Sequence, residues 1–249
     1  MSGHSKWATI KHKKGAADVK RGKLFAKLIR QVEVAAREGG GDLDANPTLR
    51  TMYQKARDAS VPVDTIDRAV KRGTGELEGV TYEQMAYEGY APGGVAVLVD
   101  VLTDNRNRTG SEIRSIFTRS GGSLAEPGAV AWQFERKGLV VVPRTADEDE
   151  VMVIGLDHGL EDVADEGDTW ALTCEATSTA DLRDALQEAD ITVESFDITM
   201  IPTATIPLAA ADEAKAVLRV LDELDDHDDV QAVHANFDIP EDVMQEAVG

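Results

Sequence analysis

The residues best suited to chemistry are the cations at the start of the chain. Positive charge recurs through residues 1–40, and one aromatic ring, Trp7, lies among the first of these cations. Lysine and arginine displace counterions from phosphate, and an indole ring can stack on an unpaired base. The combination indicates a nucleic-acid-binding region. Its candidate residues are Lys6, Trp7, Lys11, His12, Lys13, Lys14, Lys20, Arg21, Lys23, Lys27 and Arg30.

A second candidate site is the segment TDNRNRT at residues 103–109, which joins a predicted buried strand to the start of a predicted helix. Asp104 or Asn105 can cap that helix. Arg106 and Arg108 then lie near its positive end, where a phosphate group is favoured. The alternative interpretation is a polar loop whose arginines pair with local acids.

Motifs that would indicate catalysis are absent from the sequence. It contains neither the phosphate-binding pattern GxxxxGK[ST] nor the nucleophile pattern GxSxG. The single cysteine, Cys174, is in register with Trp170 and Leu172 in a predicted strand and is expected to be a buried structural thiol, while His234 is expected to be a surface histidine. The acidic groups at 147–150 and 225–229 lack calcium-loop spacing and are expected to be a solvated helix start and turn. We therefore expect a protein that is not an enzyme, with no cofactor and no metal.

Charge is strongly segregated along the chain, whose net charge is −20. Residues 1–40 carry ten cations and three acids (10 − 3 = +7), whereas residues 146–249 carry three cations and 29 acids (3 − 29 = −26). This asymmetry indicates a basic functional end on an acidic body. The longest apolar run, residues 95–99, is too short to cross a bilayer. Residues 1–14 are polar and basic and contain no apolar region of the kind found in a secretory signal peptide. We expect a cytoplasmic protein without a membrane partner.

The candidate cations lie on an arm and on one helix. Residues 1–17 read as an arm that orders on a partner, and residues 18–38 read as a helix that ends at the three glycines 39–41. The apolar stripe of this helix consists of Leu24, Phe25, Leu28, Ile29, Val32 and Ala36. Four cations fall nearly opposite the stripe and form what we call the basic ridge: Lys20, Lys23, Lys27 and Arg30.

The remaining pattern predicts an α+β multidomain protein. Asn46 and Pro47 open a second helix, and a third helix, capped by Asp64, completes an N-terminal three-helix bundle. Strands at 82–90 and 95–103, a helix at 106–119 and a short strand at 130–134 follow. Residues 138–201 have the strand and helix order of a ferredoxin-like unit. A helix at 210–224 and a strand at 230–239 complete a second unit of that kind.

The predicted domains follow from these elements. A basic arm and helical domain spans residues 1–80, and a discontinuous α/β domain spans residues 81–137 plus 202–249. A ferredoxin-like α/β domain at residues 138–201 is inserted in the discontinuous one. We therefore predict two ferredoxin-like α/β domains behind the bundle.

Five segments carry a resemblance to a known family: MSGHSKWATIKHKK at 1–14, RAVKRGTG at 68–75, YEGYAPGG at 87–94, LTDNRNRT at 102–109 and VAWQFERKG at 130–138. Their order and spacing resemble the YebC/PmpR family of probable transcriptional regulatory proteins, which includes the mitochondrial translational activator of cytochrome oxidase subunit one. Thr65, Ala91 and Gln133 depart from the family pattern, and none of these departures removes a charge.

The resemblance implies three domains and a non-enzymatic regulator of gene expression that binds DNA. Some members of the family look instead like ribosome-associated translation factors that bind ribosomal RNA and relieve stalling on proline-rich stretches. The expected partner is therefore DNA, or ribosomal RNA and the ribosome in the alternative. The protein itself is expected to be a monomer or a homodimer.

Overall fold

The structure, a computed structural model, describes residues 18–248, and it begins with three helices. These are α1 (Asp18–Gly39), α2 (Pro47–Asp58) and α3 (Val63–Gly73), which we call the helical cluster. Their predicted positions are confirmed to within a few residues. The apolar residues buried between them are Leu28, Val32, Ala35, Ala36, Leu49, Ala56, Val61, Ile66 and Ala69.

Local capping explains where these helices start and stop. α1 ends at Gly39, and the next residue, Gly40, has a φ of 85°, which is easily adopted only by glycine. Asn46 caps α2 as predicted, because its side-chain oxygen accepts a hydrogen bond from the Leu49 amide at 3.0 Å. The predicted cap at Asp64 is wrong. Pro62 precedes α3 without a side-chain hydrogen bond, and Asp64 lies inside the first turn.

The first sheet has four antiparallel strands in the order β3-β1-β2-β9. Its strands are β1 (Glu83–Tyr90), β2 (Ala96–Thr103), β3 (Ser123–Leu124) and β9 (Val230–Ala235). β1 and β2 form the predicted hairpin, with Tyr90 opposite Ala96. The hairpin lies at the centre of the sheet, because β3 pairs with the other edge of β1 and β9 pairs with the other edge of β2. The strand order therefore differs from the ferredoxin-like order that we predicted for this unit.

Two helices cover one face of the first sheet. These are α4 (Arg106–Arg119) and α7 (Ala211–Asp225), and α8 (Glu241–Val248) packs against α7. Alternate residues of β2 (Val97, Val99 and Val101) and Val95 just before the strand lie in this core together with Phe117 of α4. A short parallel pair, β8 (Ile206–Pro207) and β10 (Phe237–Asp238), lies beside it. α8, β3 and β8 were not predicted, and the single strand predicted at 230–239 is divided into β9 and β10.

The second sheet belongs to the inserted segment and has the order β5-β6-β4-β7, all antiparallel. Its strands are β4 (Phe134–Pro143), β5 (Leu160–Asp165), β6 (Thr169–Glu175) and β7 (Ser195–Pro202). Its helices are α5 (Glu148–Asp157) and α6 (Thr179–Glu188). This is the predicted ferredoxin-like arrangement. Since β4 and β7 extend past residues 137 and 201, two predicted boundaries fall inside strands, and the three-domain division stays a prediction.

Two residues outside the helices test expectations about burial. Cys174 is fully buried as expected, and burial raises the pKa of its thiol. His234, expected at the surface, is buried: its Nε2 lies 3.1 Å from Asp100 Oδ2, and its Nδ1 lies 3.4 Å from Thr199 Oγ1 of β7. The polar face of β9 is covered because the second sheet packs against it. The α+β multidomain class is confirmed.

Candidate nucleic-acid interface

Part of the basic ridge faces an acidic segment of the same chain. Lys23, Lys27 and Arg30 lie one helical turn apart on α1, opposite the buried stripe, although Leu24 of the predicted stripe is exposed. They meet residues 225–229, DDHDD, which run from the last residue of α7 to the residue before β9 and which we call the acidic turn. The expectation that this turn is simply solvated is wrong, because it contacts the ridge across about two hundred residues of sequence.

Each of the three cations donates to a main-chain oxygen of the acidic turn. Lys23 Nζ lies 2.8 Å from the carbonyl oxygen of Asp226, and Lys27 Nζ lies 2.6 Å from that of Asp225. Arg30 Nη1 lies 2.7 Å from the carbonyl oxygen of Asp228. The carboxylates of Asp225 and Asp226 are slightly farther from the ammonium groups, at 3.6 and 3.9 Å. The ridge therefore binds a row of carbonyl and carboxylate oxygens.

Asp229 joins the two candidate sites that the sequence predicts separately. Its Oδ1 accepts a hydrogen bond from Arg30 Nη1 at 3.1 Å, and its Oδ2 accepts one from Arg108 Nη2 at 2.8 Å. Oδ2 also accepts from the hydroxyls of Thr109 at 2.7 Å and Thr103 at 3.1 Å. Burial alone would raise the pKa of Asp229, but the hydrogen bonds from Arg108, Thr109 and Thr103 outweigh it and lower the pKa.

The segment 103–109 has the predicted local structure. Asn105 caps α4, since its side chain accepts from the Arg108 amide at 3.1 Å. Hydrogen bonds to Asp229 and to Asp104, the latter at 2.8 Å, raise the pKa of Arg108. Arg108 thus pairs with acids, as in the alternative interpretation of this segment. Arg106 is different: its side chain is 68% exposed, and its Nε lies 3.7 Å from Glu83 Oε2.

A cleft of about 700 Å³ opens where the helical cluster, α4 and the acidic turn meet. Lys23, Arg30, Arg108 and Arg119 contribute cations to its walls. Arg30 also lies over the ring of Tyr82, with 5.6 Å between the guanidinium carbon and the ring centroid. Five acids line the cleft as well: Asp104, Glu112, Asp226, Asp228 and Asp229. Its walls therefore carry charge of both signs and do not suit an apolar ligand.

The other predicted binding residues fall outside this cleft or outside the described residues. Arg21 is exposed on α1. Lys6, Trp7, Lys11, His12, Lys13 and Lys14 lie outside residues 18–248, as does the predicted arm, and the side chain of Lys20 is not described. Arg57 of α2 and Arg68 and Lys71 of α3 are exposed cations of the helical cluster that the sequence analysis did not select. Whether any of these residues binds nucleic acid stays a prediction.

Sequence reasoning also missed an exposed aromatic residue, Trp132. The predicted strand at 130–134 is wrong: residues Ala131–Gln133 form a 3-10 turn, and strand β4 starts at Phe134. The indole ring is 74% exposed, while its Nε1 donates to the Ala129 carbonyl oxygen at 3.1 Å. The preceding Pro127-Gly128 pair, with Gly128 at φ 88°, is a turn signal that argues against a continuous strand here.

A buried carboxylate holds the loop before Trp132. Glu88 of β1 accepts backbone hydrogen bonds from Gly128 and Val130 at 2.6 Å and from Ala131 at 2.8 Å. Burial alone would raise the pKa of Glu88, but these three donors lower it. The tryptophan is therefore exposed on a well-supported loop, which makes it a candidate for stacking on a flat ligand.

Between residues 18 and 248, no three histidine, cysteine or acidic side chains come together as a metal site would require. Over the same residues, no helix combines the length and the apolar character needed to span a membrane.

The chain is similar to two family models that together match most of its length. Residues 5–76 match the model described as "TACO1/YebC protein N-terminal domain", and residues 82–237 match "TACO1/YebC second and third domain". The gap between the two matches follows α3 and precedes β1.

Curated relatives and a solved structure agree with these matches. A "probable transcriptional regulatory protein" of Rubrobacter xylanophilus is 55% identical over 251 residues, covering 100% of both chains. One of the same name from Geotalea uraniireducens is 51% identical over 244 residues, covering 98% of both. The crystal structure of a conserved hypothetical protein from Aquifex aeolicus superposes with a TM-score of 0.84 at 44% identity, covering 93% of this chain and 96% of that one.

Proposed function

The chain belongs to the TACO1/YebC family, and we propose that it is a DNA-binding transcriptional regulator that acts through its basic N-terminal region. Its curated relatives are named as regulators rather than enzymes, and the proposal contains no catalytic step. Binding would begin with the arm and the exposed cations of the helical cluster.

The observation that carries the proposal is the segregation of charge. Ten of the 26 cations fall in residues 1–40, on a chain whose net charge is −20. An acidic body repels a polyanion, so a cationic end of this kind orients the protein with that end toward phosphate. The geometry of the ridge agrees with this function. Lys23, Lys27 and Arg30 already bind three main-chain oxygen atoms of one short segment, and phosphates along a nucleic-acid strand also offer closely spaced oxygen acceptors.

A second candidate function is a ribosome-associated translation factor that binds ribosomal RNA. The exposed ring of Trp132 favours it, because aromatic side chains bind RNA by stacking on unpaired bases. The candidate cations favour it too. They are lysines and arginines, which contact phosphate, whereas asparagine and glutamine read adenine in duplex DNA. In this alternative the acidic inserted segment would face away from the RNA.

Charge reversal in the arm tests the proposed function. Lys11→Glu, Lys13→Glu and Lys14→Glu together should weaken binding to duplex DNA and to single-stranded RNA, because three phosphate contacts are lost. The slope of log affinity against log salt should fall by about 2 to 3. Titration of fluorescein-labelled duplex DNA and single-stranded RNA over a range of salt concentrations measures both quantities.

A matched control separates local contacts from net charge. Arg183→Glu, Lys215→Glu and Arg219→Glu reverse the three cations of residues 146–249 and change the net charge by the same amount. This variant should keep most of the salt slope. Equal losses in the two variants would contradict binding through the arm, and tighter binding to single-stranded RNA than to duplex DNA would favour the translation alternative.

A further inference from the structure

The contact between the basic ridge and the acidic turn has the chemistry of a protein–nucleic acid contact formed within one chain. We propose that the acidic turn is an intramolecular competitor for nucleic acid: it occupies Lys23, Lys27 and Arg30 until phosphates displace it. Displacement would separate α1 from the turn and make the ridge available. This inference rests on the proposed function and adds a regulatory step to it.

The turn presents the atoms that a competitor needs. Carbonyl oxygens of Asp225, Asp226 and Asp228 accept hydrogen bonds from the ridge at 2.6 to 2.8 Å. Carboxylates of the same turn supply negative charge, including that of Asp229 at 3.1 Å from Arg30. A phosphodiester chain offers the same combination of negative charge and oxygen acceptors. The two partners therefore compete for the same donors.

The turn keeps its shape without help from the ridge. Asp229 Oδ2 is held by Thr103, Thr109 and Arg108, all of which belong to the first sheet or to α4. His227 Nδ1 lies 3.1 Å from the Asp229 amide nitrogen, and its Nε2 lies 2.8 Å from Glu112 on α4. Loss of the contact with α1 therefore leaves these bonds in place. Because the turn is already held in this shape, it loses little conformational entropy when it binds the ridge.

The junction between ridge and turn can open, because it is polar. Among the described residues, the helical cluster and the first sheet have separate hydrophobic cores. The contacts of Lys23, Lys27 and Arg30 with the turn are hydrogen bonds and ion pairs. Salt and competing anions weaken such pairs, whereas an apolar interface would persist. Opening therefore exposes no large apolar surface at this contact.

Neutralising the turn should strengthen nucleic-acid binding. Asp225→Asn, Asp226→Asn and Asp228→Asn together remove three charges and leave Asp229, which anchors the turn. With a fluorescein-labelled single-stranded RNA and a labelled duplex DNA as probes, we expect about threefold to tenfold tighter binding, given the modest worth of partly exposed ion pairs. The matched control is Glu148→Gln, Asp149→Asn and Asp157→Asn on α5, which changes the net charge equally, away from the ridge.

The outcomes separate this inference from the proposed function. Tighter binding by the turn variant than by the α5 variant supports the competitor. Equal binding by the two variants overturns it, while the arm variant still decides the proposed function. If neither probe binds the wild type or the turn variant at low salt, both proposals fail together.

A distance measurement tests the opening directly. Spin labels on Glu38→Cys in α1 and Lys215→Cys in α7 report the separation of the two elements, and the natural Cys174 is fully buried. In pulsed dipolar spectroscopy, the distance between the labels should broaden and lengthen when RNA or DNA is added at saturating concentration. A distance distribution that stays unchanged while the probe is bound would show that the turn is not displaced and would overturn the inference.

Discussion

Asp229 offers the sharpest perturbation of the site, because one carboxylate joins the ridge, α4 and β2. Its side chain is 5% exposed and accepts hydrogen bonds from Arg30, Arg108, Thr103 and Thr109. Replacement by asparagine keeps the size of the side chain but removes its charge. All four donors then lose a charged acceptor, two of them charged themselves (Arg30 and Arg108), and an amide NH₂ group cannot accept the hydrogen bonds that a carboxylate oxygen accepts.

The expected loss of unfolding free energy in Asp229→Asn follows from the two charged donors, Arg30 and Arg108. Hydrogen bonds to charged groups contribute about 1.5 to 3 kcal/mol each. The lower value applies, because the Arg108 side chain is 44% exposed and water screens it. Arg108 also keeps Asp104, and Arg30 keeps the carbonyl oxygen of Asp228. Two such bonds give an expected loss of about 3 kcal/mol for Asp229→Asn.

Urea unfolding of the whole chain measures this loss, with Asp228→Asn as the matched control. Asp228 is the adjacent residue, is exposed and contributes its main-chain oxygen to Arg30, so its amide variant should lose less than about 0.5 kcal/mol.

The stability difference should also depend on pH. The folded-state pKa of Asp229 lies below its ordinary value of 3.8. Its stabilisation is therefore complete above pH 3.8 and is lost as the pH falls from there through the folded pKa. Plots of unfolding free energy against pH for the wild type and Asp229→Asn should therefore converge in acid. A loss of under about 1 kcal/mol, equal to that of Asp228→Asn at neutral pH, would refute the role of Asp229 as the anchor of the turn.

Three other substitutions test the supports of the fold and the exposed ring. Glu88→Gln should speed amide hydrogen exchange at residues 128–131 and cost about 2 kcal/mol in urea unfolding, since one amide oxygen replaces a carboxylate that accepts three backbone bonds. Gly138→Ala should cost about 1 to 3 kcal/mol, because a Cβ there would clash with Thr179 Oγ1 and lie 2.6 Å from Cys174 Sγ. Trp132→Ala should change the unfolding free energy by under about 0.5 kcal/mol. In the translation alternative, it should also weaken single-stranded RNA binding about tenfold in fluorescence titration, and unchanged affinity would argue against stacking there.

The local sequence pattern was sufficient to predict those elements whose structure depends mainly on their own residues. The helix predicted at 18–38 is Asp18–Gly39, and the ferredoxin-like order of the inserted segment is confirmed. In both cases the period of apolar residues and the nearby glycines carry the information. The first sheet differs from its prediction because the order of its strands depends on a central hairpin and on a strand after the insertion.

Contacts between distant segments could not be predicted in the same way. The periodicity of α1 shows which face is charged, but it does not show whether that face meets water or an acidic turn about two hundred residues later. His234 was misjudged for a similar reason, because alternation along β9 indicates a polar face without indicating that β7 covers it. The convergence of Arg30 and Arg108 on Asp229 likewise exists only after folding.

We propose that this protein binds nucleic acid through its basic N-terminal region. Ultraviolet crosslinking in cells, purification of the tagged protein and sequencing of the attached nucleic acid test it most directly. We predict covalently attached DNA from regions upstream of genes, or ribosomal RNA in the alternative, and loss of that signal when Lys11, Lys13 and Lys14 are replaced by glutamate. Recovery of no nucleic acid at good protein yield, or an undiminished signal from the charge-reversed variant, would contradict the claim.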